Sequence, residues 1–110
     1  MTKPEIDELL KELEVPVSEG VPSDDNVNAK EYINYWEYLW EDNTASGTLY
    51  NTVVTYQISI ISDTPRCKTL INLKKKLNEI GLFPDIQHEY NTETRRWHSF
   101  FSLEVLENVE

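Results

Sequence analysis

Residues 49–62, LYNTVVTYQISIIS, decide the fold of this chain. In a strand, successive side chains point to opposite faces. The even positions here are Tyr50, Thr52, Val54, Tyr56, Ile58 and Ile60; the odd ones are mostly polar, with Asn51, Thr55, Gln57 and Ser59. That alternation predicts a long half-buried strand. Upstream, residues 32–41 (YINYWEYLWE) are dense in β-favouring aromatics, and Asp42–Gly47 reads as a polar connection between the two runs. Together they predict a β-hairpin over 32–62. Within its first strand Tyr32, Trp36, Tyr38 and Trp40 share one face, and Ile33, Tyr35, Glu37, Leu39 and Glu41 the other. Both faces carry bulk.

Helical periodicity flanks the hairpin on either side. Thr64 and Pro65 read as an N-cap and first helical residue, followed by the stripe Cys67, Leu70, Ile71, Leu73, Leu77 and Ile80. Gly81 is placed to end this helix, predicted over 64–81, at the C′ position. Beyond it, residues 85–90 and Trp97–Leu106, joined by a turn at Asn91–Arg96, predict a second hairpin over 85–106. Trp97, Phe101, Leu103 and Val105 share one face of its last strand. At the start, Thr2 and Glu5 have capping-box spacing, and Ile6, Leu9, Leu10 and Leu13 make a short amphipathic helix over 1–15, stopped by Pro16. Residues 18–30 (SEGVPSDDNVNAK) read as an acidic loop. The expected fold is α+β in one domain, 1–110. It comprises an antiparallel sheet of about four strands, one helix packed across a face, and the short N-terminal amphipathic helix.

Composition narrows the function classes. The 110 residues carry 10 Lys plus Arg against 20 Asp plus Glu, a formal net charge of −10. Aromatics make up 11%, too many for a disordered acidic tail. A single cysteine excludes an intrachain disulfide framework and suits a reducing compartment. No apolar run approaches the roughly 18 residues of a membrane span, and the start lacks a signal-peptide pattern. The negative balance argues against sequence-specific nucleic-acid binding through a basic footprint.

Charge is unevenly distributed. Residues 1–47 hold 12 acidic and 3 basic residues, whereas Asp63–Ile80 holds Arg66, Lys68, Lys74, Lys75 and Lys76 against Asp63 and Glu79. The triplet Lys74, Lys75 and Lys76 is either a solvated helix face or a charge-complementary contact with a second copy. The aromatics Trp36, Tyr38 and Trp40 are either core or an interface set, in which Trp and Tyr are enriched.

Catalytic constellations are not legible. His88 and His98 are the only histidines and lack an HxxxH or HExxH spacing; they read as surface strand residues, although hairpin pairing would let them face each other. Cys67, flanked by Arg66 and Lys68 near a helix start, has the surroundings of an activated thiol but falls on the apolar stripe, which favours a small core residue. Asp24 and Asp25 lack the calcium-loop pattern. With glycines only at 20, 47 and 81, there is no phosphate-cradling loop. No catalytic residue, metal ligand or cofactor site is expected.

The ordered pieces Leu9–Val17 (LLKELEVPV), Tyr56–Ser62 (YQISIIS), Asp63–Thr64, Leu73–Leu82 (LKKKLNEIGL) and Phe101–Glu107 (FSLEVLE) carry a resemblance across nearly the whole chain. In this order they resemble the tail-terminator and head–tail joining proteins of long-tailed bacteriophages and prophages of Gram-positive bacteria. The resemblance implies a non-enzymatic, cofactor-free subunit of a ring, commonly a hexamer, which stops tail-tube growth and meets the head connector. The implied partners are further copies of the chain, a tail-tube protein and a head-connector protein. The implied location is the virion tail or neck, assembled in the bacterial cytoplasm. Under this reading Lys74, Lys75, Lys76, Trp36, Tyr38 and Trp40 are the candidate subunit interface. Two other classes compete: a small acidic inhibitor or DNA mimic that fills a basic channel, and a small enzyme or ligand-binding domain using Cys67 or the histidines.

Overall fold

The computed structural model describes residues 3–20, 30–45 and 48–107. Their order is α1 (Lys3–Lys11), β1 (Val17–Glu19), β2 (Tyr32–Ala45), β3 (Thr48–Ser62), α2 (Lys68–Glu79), β4 (Gln87–Asn91) and β5 (Arg96–Glu107). The strands form one sheet in the order β1-β2-β3-β5-β4. The α+β class stands, but the sheet is mixed and five-stranded rather than antiparallel and four-stranded. The added strand is β1, which pairs in parallel with β2 through Val17↔Ile33, Ser18↔Asn34 and Glu19↔Tyr35. Three residues carry too short an alternation to announce a strand, so by sequence Ser18 and Glu19 read as part of the loop. Backbone hydrogen bonds from Ile33 N to Pro16 O (2.9 Å) and from Gly20 N to Tyr35 O (2.8 Å) bracket the pairing.

The core lies between one sheet face and both helices. Ile33 and Tyr35 of β2, Val54, Tyr56, Ile58 and Ile60 of β3, and Phe101, Leu103 and Val105 of β5 line that face. Ile6 and Leu10 of α1 cover it together with Leu70, Leu73 and Leu77 of α2. The alternation in β3 therefore points its apolar row at the helices, as expected. Its other row is not solvated, however: Thr55, Ser59 and Ile61 are buried as well. The cause is position. β3 is the central strand, and Ile61, for example, lies between Tyr32 and His98 on the adjoining strands.

Several boundaries differ from those expected. Helix α2 starts at Lys68 with Cys67 at the N-cap, not at Thr64. The Ser62 hydroxyl donates to the Thr64 carbonyl, and the chain turns through Pro65 and Arg66 before the helix begins. Ile71 and Ile80 of the proposed stripe are exposed rather than core-facing. At the other end Gly81 adopts φ +84°, with Gly81 N bonded to Asn78 O (3.1 Å) and Leu82 N to Leu77 O (2.9 Å). This is the Schellman closure for which glycine is suited. Residues Asp42–Ala45, expected as connection, continue β2. Thr2, the Tyr50 side chain, Gly47, and the 21–29 part of the acidic loop with Asp24 and Asp25 lie outside the described residues.

Candidate interaction surfaces

One inserted residue reorganises the aromatic strand. The pairing of β2 with β3 runs Tyr35↔Ile58, Trp36↔Gln57, Glu37↔Tyr56, then shifts to Leu39↔Thr55 and Trp40↔Val54. Tyr38 is therefore the extra residue of a β-bulge, which reverses the facing of everything after it. Trp36, Tyr38 and Trp40 do not form a single row. Trp36 lies opposite Gln57 on the face away from the helices and is half-buried; Trp40 lies opposite Val54, on the face the helices cover. Tyr38 and Trp40 remain largely exposed, at 62% and 54%. Simple parity cannot reveal a bulge, since its cost and benefit depend on the partner strand.

The bulge also sets the company Trp40 keeps. Its indole Nε1 donates to Glu37 Oε2 at 3.2 Å, and Asp42, two residues on, shares its face. The Asp42 carboxylate accepts a bond from the Thr52 hydroxyl at 3.0 Å. Because β1 pairs only with Ile33–Tyr35, the outer edge of β2 from Trp36 to Ala45 has no strand beside it among the described residues. The bulge and the charges Glu37, Glu41 and Asp42 are the usual protections of such an edge against strand addition.

The lysine triplet divides. Lys76 Nζ forms an ion pair with Glu12 Oε2 of α1 at 2.9 Å, and this bond raises its pKa. Lys74 Nζ donates to the Asn78 side-chain amide oxygen at 2.9 Å. Lys75 is exposed. Lys68, Ile71 and Lys75 follow one another up the outer side of α2, with Ile71 43% exposed. Lys74, Lys75 and Lys76 differ in surroundings because adjacent residues on a helix diverge while those three and four apart converge.

Helices α1 and α2 enclose an open groove lined by Glu5, Glu8, Leu9, Glu12, Lys76, Glu79 and Ile80. Four carboxylates and one ammonium give it a negative potential. Nothing in this lining pairs a nucleophile with a base.

The two histidines lie on opposite faces of the sheet. His88 sits opposite Ser99, with its Nδ1 2.8 Å from Ser99 Oγ, whereas His98 sits opposite Glu89. They do not face each other. Burial lowers the pKa of His98, and the Arg96 charge adds to this while Glu89 opposes it. Cys67 is buried, and burial raises its thiol pKa, the reverse of an activated nucleophile. Among the described residues no three His, Cys, Asp or Glu side chains are grouped to hold a metal ion, and no helix is long and apolar enough to cross a membrane.

No protein-family model matches the chain, and no curated protein sequence matches it.

Proposed function

We propose that this chain is a non-enzymatic structural subunit of a phage tail, forming a ring that ends the tail tube and joins it to the head connector. The observation carrying this reading is that sticky groups of opposite charge occupy different elements. An acidic strand edge, with no strand beside it among the described residues, presents Tyr38 and Trp40, while the outer side of α2 presents Lys68, Ile71 and Lys75. Two unlike patches associate head to tail, and head-to-tail contacts close into rings when the rotation permits. The resemblance carried by the ordered sequence pieces from Leu9 to Glu107 supports reading that ring as a tail terminator.

The test is assembly with the tail-tube protein of the same phage. Added to polymerising tubes, the chain should stop growth and appear as a ring at one tube end in electron micrographs. Tubes that grow to unlimited length and bind none of it would refute the proposal.

The acidic groove between α1 and α2 supports a second reading, a small inhibitor filling a basic nucleic-acid channel. Lys76 sits among those carboxylates and neutralises part of the field. Displacement of DNA from a basic host protein by this chain, absent any binding to tail tubes, would favour the inhibitor.

A further inference from the structure

We infer that the acidic edge of β2 in one copy docks, through Trp40, on the outer face of α2 in a second copy; this rests on the ring reading and specifies its contact. The two surfaces match in chemistry. On β2 the order is carboxylate, indole, carboxylate: Glu37, Trp40 and Asp42 on one face because of the bulge at Tyr38. On α2 the order is ammonium, alkyl, ammonium: Lys68, Ile71 and Lys75. Neither Lys68 nor Lys75 has an ion-pair partner among the described residues.

They also match in length. Glu37 and Asp42 are five residues apart with one absorbed by the bulge, so four strand steps separate them by about 13 Å. Lys68 and Lys75 are seven helical residues apart, about 10.5 Å at 1.5 Å each. Flexible lysine side chains bridge that difference. In this register Trp40 meets Ile71 at the centre, and each carboxylate meets one ammonium. The central apolar pair supplies desolvated contact, the flanking charges supply orientation, and the lysines gain cation–π attraction to the indole.

A second copy is the occupant the observations favour, because both halves of the match are present on one chain. Strand addition is disfavoured by the bulge and the edge charges, which leaves side-chain docking. The contact uses two different patches, so it is heterologous.

The experiment is charge reversal followed by light scattering after size exclusion over a concentration series. The variants are Glu37→Lys with Asp42→Lys, Lys68→Glu with Lys75→Glu, and all four together, with Trp40→Ala separately; circular dichroism checks the folding of each. The wild-type chain should self-associate, and high salt should weaken it. Each reversed pair and Trp40→Ala should weaken association at least tenfold, and the fourfold variant should recover it. Association unchanged by either reversal overturns this contact and leaves the ring reading intact. A wild-type chain monomeric at every concentration also overturns it, and the ring reading then depends on the tube-capping assay alone. If only tail-tube protein binds Trp40 and Asp42, the edge serves a different partner and the inference fails.

Discussion

The Tyr35 hydroxyl, at the inner end of β2, donates a hydrogen bond to Asp7 Oδ1 on α1. The ring itself is in the core, packed at 6.2 Å from that of Tyr56. One side chain thus packs against the neighbouring strand through its ring and ties the N-terminal helix to the sheet through its hydroxyl. Nearby, Lys3 Nζ bonds to Glu19 Oε1 at 3.0 Å and links α1 to β1.

Replacing Tyr35 with Phe keeps the ring and removes the bond to Asp7. A loss of about 1.5–3 kcal/mol is expected in urea denaturation, in line with hydrogen bonds to charged acceptors. A pH dependence accompanies it. Burial first, then Asp7, raises the Tyr35 pKa well above its ordinary value. The native state therefore holds the phenolic proton longer than the unfolded chain does, and stability falls as pH rises above about 10. Tyr35→Phe should flatten that alkaline decline; an unchanged slope would show that Asp7 and burial do not govern it.

His98 carries the opposite sign. Its pKa is depressed, so the unfolded chain binds the proton more readily than the folded one. Its contribution is full above the unfolded value of about 6.5 and is lost as pH falls through the lower folded value. An imidazole titration by NMR should give a midpoint below 6.5. Glu89→Gln should lower it further, because Glu89 is the group that opposes the shift.

Gly81 has φ +84°, and no atom lies within 4 Å of where a Cβ would stand. Gly81→Ala therefore introduces backbone strain without a clash. A loss of about 1 kcal/mol is expected, and Gly81→Asn should lose less, since asparagine tolerates the left-handed region. Thermal melts of the two variants would order them.

Cys67 should react slowly with a thiol reagent in the native protein. It is 7% exposed, and burial raises its pKa. Labelling at the rate of an unfolded cysteine is expected only in denaturant. Rapid native labelling would favour a small enzyme or ligand-binding domain that uses Cys67.

Local chemistry was legible wherever neighbours in sequence decide the outcome. The period-two row Val54, Tyr56, Ile58 and Ile60 faces the helices because a pleated strand allows no other arrangement once one row is apolar. Leu70, Leu73 and Leu77 are buried by helical spacing, and Gly81 ends α2 because few residues adopt its φ. The uneven charge was equally plain from composition.

Tertiary structure decided what depends on a distant partner. The strand Val17–Glu19 exists because β2 offers it an edge; three residues cannot hold a strand by propensity. The bulge at Tyr38 arises from pairing with β3, and it alone carries Trp40 and Asp42 across the sheet to join Glu37. Burial of Ser59 and Ile61 follows from the central place of β3, and the pairing of Lys76 with Glu12 joins residues 64 apart. Alternation and helical spacing are set by the geometry of one segment, whereas register, facing and pairing belong to the contact between two.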